Sequence, residues 1–246
     1  MTVSIDHDPF RLYPANTVFP ISGLDLKVSP GDHPWYLAER ERAAENWRKE
    51  VAANPALFDG KMVFQHRLAL QDGIIRGEAY MVPFSTFLWW RRQERPSGGL
   101  HLFCYPVPVS SDGAIIAVRM GERTANPGQV YCPAGSLDAS DVVDGVCDVL
   151  GNMVREVREE TGLDLRQADD DGRYFACHQE RRMMVCRVFR FRQSADELLA
   201  AIERHMVEDE EQEIAGAIAI RSADPDAHPY NPTMPPLLSW FFGGGT

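Results

Sequence analysis

The sequence predicts an α/β fold on a mixed sheet, preceded by an α+β extension, and three observations carry that reading. Strand-like HLFCYPVPV, AIIAVRM and QVYC precede a helical stretch that ends in REVREETGL; RYFACHQE and MMVCRVFRF, a helix over ADELLAAIERHM and a last strand IAGAIAI follow. Pro, Ser and two Gly at 96–99 separate this region from the one before it, so the expected division is an extension over 1–99 and a main domain over 100–246. The extension carries its own helix, hairpin and short helix.

Residues 1–33 are rich in Pro, Gly and Asp and read as an irregular arm with short strands, with Asp6, His7 and Asp8 in a solvated turn. Pro34 suits a first helical position, and the helix runs to the stop at Asn54-Pro55. Its face Trp35, Ala43, Trp47 and Val51 docks, while the charges are expected in solvent. KMVFQHRLAL and IIRGEAYMV flank Gln71-Asp72-Gly73, a hairpin signal. Pro83 ends the second strand, and FSTFLWWRRQER forms a short helix whose Phe84, Phe87, Leu88 and Trp90 are expected in the core. Arg91, Arg92 and Arg95 are either exposed charges or phosphate contacts. HLFCYPVPV and AIIAVRM pair around Ser111-Asp112-Gly113, a second hairpin turns at Arg181-Arg182, and MPPLLSWFFGGGT closes as a short apolar helix.

Composition bounds the function. The 246 residues are 44% hydrophobic and 25% charged, ordinary values for a globular chain. No apolar run approaches the roughly 18 residues of a membrane span, and the N-terminus lacks a basic start and an apolar core, so a soluble cytoplasmic protein is expected. A net charge of −11 argues against a general nucleic-acid or anionic-membrane surface. Five scattered cysteines without CxxC spacing read as buried reduced thiols. His101, His178 and His205 show no metal spacing and read as structural.

The sharpest signal is Arg155–Leu163. In a helix Glu156, Glu159 and Glu160 stand at i, i+3 and i+4, so three like charges share one turn and call for a cation, of which an oxygen-seeking ion such as Mg2+ is the obvious candidate. Gly162 stops the helix. The stretch resembles the second half of the Nudix box, REUxEExGU with U aliphatic: Arg155, Glu156, Val157, Glu159, Glu160, Gly162 and Leu163 match every defined position. The first half departs from the pattern. Gly135 stands twenty residues before Arg155 where the family has fourteen, so about six residues are inserted, and Asp141, Asp144 and Asp148 all remain open as the replacement for the first box Glu.

The resemblance covers about Leu100 to Ile220 and implies a Nudix-type α/β/α sandwich on a mixed sheet. It also implies hydrolysis of the pyrophosphate linkage in a nucleoside diphosphate joined to a moiety X, with Mg2+ or Mn2+. On that basis Glu156, Glu159 and Glu160 are metal ligands with the Gly135 carbonyl, Glu156 alternatively acts as base, and Arg155 orients the carboxylates. A distal base or further ligand is expected in VEDEEQEIA; Glu213 is the first choice and Glu211 the second, ahead of Glu208, Asp209 and Glu210. Arg119 and Arg123 are the candidate substrate contacts, with Arg181 and Arg182 at a hairpin tip. A nucleotide sugar or an ADP-ribose-like compound leads as substrate, and extensions of this kind wall the pocket or form a homodimer. The alternative reading, motivated by the insertion, is a non-catalytic Nudix-like sensor that binds a nucleotide or a partner protein.

Overall fold

The computed structural model describes residues 13–94, 96–209 and 212–245. Asp6, His7, Asp8 and Arg95 lie outside them. In chain order the elements are β1 (Phe19–Ile21), β2 (Gly23–Val28), α1 (Pro34–Ala53), β3 (Lys61–Gln71), β4 (Ile74–Pro83), α2 (Phe84–Arg91), β5 (His101–Val109), β6 (Ile115–Met120), β7 (Val130–Tyr131), β8 (Val142–Val143), β9 (Val146–Cys147), α3 (Val149–Thr161), β10 (Tyr174–Gln179), β11 (Arg182–Arg190), α4 (Ala195–Glu208), β12 (Ile214–Ile220) and α5 (Met234–Phe242). The result is a mixed α/β fold with a β-sheet core.

One sheet runs β1-β10-β11-β5-β6-β12 with β7 on β6; the other runs β3-β4-β2-β9-β8. The first is mixed because β11 and β5 are parallel, from Arg182 opposite His101 to Arg190 opposite Val109, while its other pairs are antiparallel. Every β5 residue except His101 is buried, as a strand covered on both faces requires, and α3 packs against it. The two sheets are laced together by the chain itself. β1, from the N-terminal segment, pairs with β10, whereas β9, from the insertion before α3, pairs with β2 through Lys27 and Val146.

Local chemistry explains the edges of these elements. Asp72 and Gly73 both adopt positive φ, 52° and 76°, the two-residue turn that joins β3 to β4 without splaying them. His33 caps α1, its Nδ1 accepting from the Trp35 amide at 3.1 Å.

Three expectations need correction. β5 and β6 pair only at Val109 and Ile115, because Pro106 and Pro108 beside the turn have no N–H with which to extend a ladder. The second hairpin turns at Glu180-Arg181, and Arg182 belongs to β11. Not all charges on α1 are solvated: Glu50 takes a two-point contact from Arg92 at 2.7 and 2.9 Å, and Glu39 accepts from the Trp89 indole at 3.0 Å, which ties α1 to α2.

Candidate active site

α3 is an amphipathic helix with carboxylates on its buried side. The Asp148 side chain caps it by accepting from the Gly151 amide at 2.9 Å, and Gly162 ends it at φ 71°. Val149, Met153 and Val157 enter the core, and Glu156 and Glu160, one turn apart, are buried at 8% and 4% exposure. Glu159, between them in sequence, stays largely exposed. The three glutamates therefore split, two inward and one at the rim.

The loop after β7 closes on the inward pair. The Ala134 amide donates to Glu160 Oε2 at 3.2 Å, and a Cβ on Gly135 would overlap the Glu156 carboxylate, so only glycine allows this approach. Burial pushes the Glu156 carboxyl up to about 7, against the pull of Arg155. Glu160 is raised well above the ordinary carboxylate value, first by burial, then by the charges of Glu156 and Glu213.

Arg155 is the hub of the site. Its guanidinium contacts Asp141 at 2.9 Å, Glu156 at 2.7 Å, Glu159 at 2.8 Å and Asp138 at 3.8 Å. Burial opposes its charge, yet the hydrogen bond to Asp141 and the surrounding carboxylates hold it above the ordinary arginine value. Of the three aspartates left open in the insertion, Asp141 is the one beside this hub: it is buried at 4% exposure and accepts from Arg155, from Asn152 Nδ2 at 3.0 Å and from the Asp138 amide at 2.9 Å. Asp144 occupies the β8–β9 turn at φ 50°, and Asp148 caps α3.

These residues border a cavity of about 830 Å³, within the usual range for a small-molecule site. Glu156, Glu159, Glu160, Arg155, Gly135, Glu213 and Arg123 all line it; Arg119, on an exposed position of β6, does not. Of the other acidic candidates, Asp209 lines the cavity and Glu208 does not, while Glu210 and Glu211 lie outside the described residues. His178 and His205 hold backbone carbonyls, those of Tyr13 at 2.7 Å and Glu159 at 2.8 Å.

The sequence reading missed the aromatic wall. His101, Phe103 and Tyr105 alternate along β5 into the cavity, joined by Phe87 from α2 and Tyr131 from β7. Ring centroids step from Phe87 to His101 (4.4 Å), Phe103 (5.1 Å), Tyr105 (5.1 Å) and Tyr131 (6.1 Å). Period-two spacing was present in HLFCY, but Leu102 and Cys104 are also apolar and hid the alternation. Arg91 and Arg182 line the same cavity.

No set of three or more carboxylate, imidazole or thiol groups already converges on a common cation position among the described residues. The donor chemistry nonetheless fits a hard divalent ion. Two buried carboxylates, each disfavoured in its charged form by burial, face a loop that supplies backbone groups, and added positive charge would stabilise both as anions.

Comparison with known proteins gives structural likeness at low identity. No family model matches the chain, and no curated protein matches it by sequence. Similar solved structures include the MutT protein from Methanosarcina mazei Go1, at 16% identity and TM-score 0.36 over 57% of this chain and 91% of that one. DR0079 from Deinococcus radiodurans aligns at 10% identity and TM-score 0.40 over 61% of this chain and 96% of that one. RenU, a Nudix hydrolase from M. smegmatis, aligns at 11% identity and TM-score 0.33 over 56% and 79%.

Proposed function

We propose that the chain is a metal-dependent pyrophosphohydrolase of the Nudix kind, which cleaves a nucleoside diphosphate joined to a moiety X, a nucleotide sugar or ADP-ribose-like compound being the leading class. The observation that carries this reading is the pair Glu156 and Glu160, buried against the Ala134-Gly135 loop on the wall of an open cavity. Burying two adjacent carboxylates costs stability unless a ligand or ion compensates. Glu156, Glu160, the rim carboxylate Glu159 and the Gly135 carbonyl would hold Mg2+ or Mn2+. When bound, such an ion neutralises phosphate oxygens and acidifies a water.

The chain's own groups supply the rest. Arg155 fixes the side chains of Glu156 and Glu159 by direct ion pairs and so sets where they point. Glu213, which lines the same cavity, would take a proton from the attacking water, and Arg123, which lines it too and makes no ion pair among the described residues, would meet a phosphate. The aromatic wall offers ring faces to a base or sugar.

A turnover screen tests the reading, with Mg2+ and with Mn2+, on ADP-ribose, ADP-glucose, UDP-glucose, NADH, coenzyme A and dinucleoside polyphosphates. The Glu159→Gln/Glu160→Gln variant is the control. Turnover of any compound by the native protein but not by the control supports a metal-dependent hydrolase and names X. Silence on all with saturable nucleotide binding supports the sensor instead.

A further inference from the structure

The far end of the cavity carries the opposite charge. Arg182, the first residue of β11, pairs in register with His101, the first residue of β5, so the two side chains stand beside each other on one face. Arg91, from the last turn of α2, lines the cavity with them. Among the described residues its Nη2 meets neutral acceptors alone, the Ala125 carbonyl at 3.4 Å and Asn126 Oδ1 at 3.2 Å, and its guanidinium stands 6.0 Å from the Phe87 ring centre. Among the described residues no carboxylate lies within ion-pair distance of Arg91 or Arg182; the nearby Glu50 is engaged by Arg92.

Two cations thus sit together with no carboxylate to pair them among the described residues, and Arg91, the less exposed of the two, bears the cost. Burial and the charge of Arg182 press the Arg91 guanidinium below its ordinary value, and burial with both arginines holds His101 neutral, at about 3. His101 Nε2 is buried with no hydrogen-bond partner among the described residues. At the other end of the same β5 face, Tyr105 lines the cavity with its ring centroid 6.1 Å from that of Tyr131, the residue of β7 that leads into the Ala134-Gly135 loop. His101 and Tyr105 are four residues apart, about 13 Å along an extended strand.

We propose that Arg91 and Arg182 form a second anion subsite, which takes a phosphomonoester carried by the substrate roughly 13 Å from the linkage that is cut. This rests on the hydrolase reading for what happens at the carboxylate end. Two guanidiniums match the two negative charges a phosphomonoester bears near neutral pH, and their planar forks suit its oxygens. The substrate class narrows accordingly, to nucleoside diphosphates that carry an additional phosphate on the nucleoside or on X.

ADP-ribose and ADP-ribose 2′-phosphate, and likewise NADH and NADPH, differ by one such group. For each pair, affinity by calorimetry without added metal and kcat/KM with Mg2+ are measured on the native protein, on Arg182→Gln and on Arg91→Gln/Arg182→Gln. Arg182 is exposed, so its single substitution leaves folding intact. The expected result is a preference of about tenfold to a hundredfold for the phosphorylated member of at least one pair, falling severalfold in the single variant and to about one in the double. Equal use of both members in both measurements, or a preference that survives the double variant, overturns the subsite. Preferential binding without turnover keeps the subsite and removes the hydrolase reading; turnover without preference does the reverse. Absence of both binding and turnover for every compound removes both.

Discussion

Arg155 and Asp141 are joined by two contacts, Nη2 to Oδ2 at 2.9 Å and Nε to Oδ1 at 3.3 Å, although fourteen residues and a small hairpin separate them. The carboxylate is buried and the guanidinium is shared with Glu156 and Glu159. Asp141 therefore holds in place the residue that holds the glutamates.

Breaking that bond should be costly. Asp141→Ala leaves Arg155 and Asn152 Nδ2 short of an acceptor in a buried setting, so a loss of about 3–5 kcal/mol is expected in urea unfolding, with activity reduced in the folded fraction. Asp148→Ala should cost only about 1 kcal/mol, the value of a helix cap. Asp144→Gly, at a positive-φ turn, should be neutral or mildly stabilising. A different ranking of the three would place the arginine anchor elsewhere in the insertion.

Glu160→Gln should act in opposite directions on stability and metal binding. Burial and the charges of Glu156 and Glu213 disfavour an ionised Glu160, so the neutral amide should raise or preserve the thermal midpoint without divalent ions. The same change should abolish any rise in midpoint on adding Mg2+. Melting curves with and without MgCl2 check both halves; a large drop in the metal-free midpoint would contradict the account of Glu160 as a repelled anion.

The pH dependence follows from the same carboxylates. Glu156 is raised from an ordinary 4.5 to about 7, so between those values the folded state holds a proton that the unfolded state has released. Stability from this group is full below about 4.5 and lost as pH rises through about 7, a change of about 3 kcal/mol. Glu160 extends the same trend upward, while Asp170, held low by Arg187, contributes in the acid range with the opposite sign. Unfolding titrations without metal should show the falling limb, and Glu156→Gln/Glu160→Gln should flatten it. Mg2+ affinity should rise over the same interval, because protons compete for the carboxylates.

Gly135→Ala tests the close approach. The added methyl would displace the Glu156 carboxylate, so turnover should fall by at least about tenfold, as expected when a reacting geometry shifts by about 1 Å. Secondary structure by circular dichroism should be unchanged. Full activity in this variant would mean that the loop can yield without cost.

Much of this was legible in the chain. The period of α3, the helix start at Pro34, the helix stop at Gly162 and the turn at Asp72-Gly73 are local, set by backbone preferences within a few residues, and they appear where the sequence places them. REVREETGL announced its carboxylates because helical spacing alone brings i, i+3 and i+4 together.

What lay beyond it were relations between distant segments. Nothing local distinguishes Asp141 from Asp144 or Asp148; only the fold of the insertion, stitched to β2 through Val146, turns Asp141 toward Arg155. Arg119 and Arg123 are similar in sequence, and strand pleating decides that one faces away from the cavity while the loop carries the other to its rim. Arg91 and Arg182 come from segments ninety residues apart and meet because β11 pairs with β5 in parallel, starting at His101, under the end of α2. Charge and helical period thus belong to the sequence, since each is a property of single residues or one turn. Burial, and with it the raised pKa of Glu156 and the lowered one of Arg91, belongs to the tertiary structure, since desolvation depends on what the rest of the chain packs around a group.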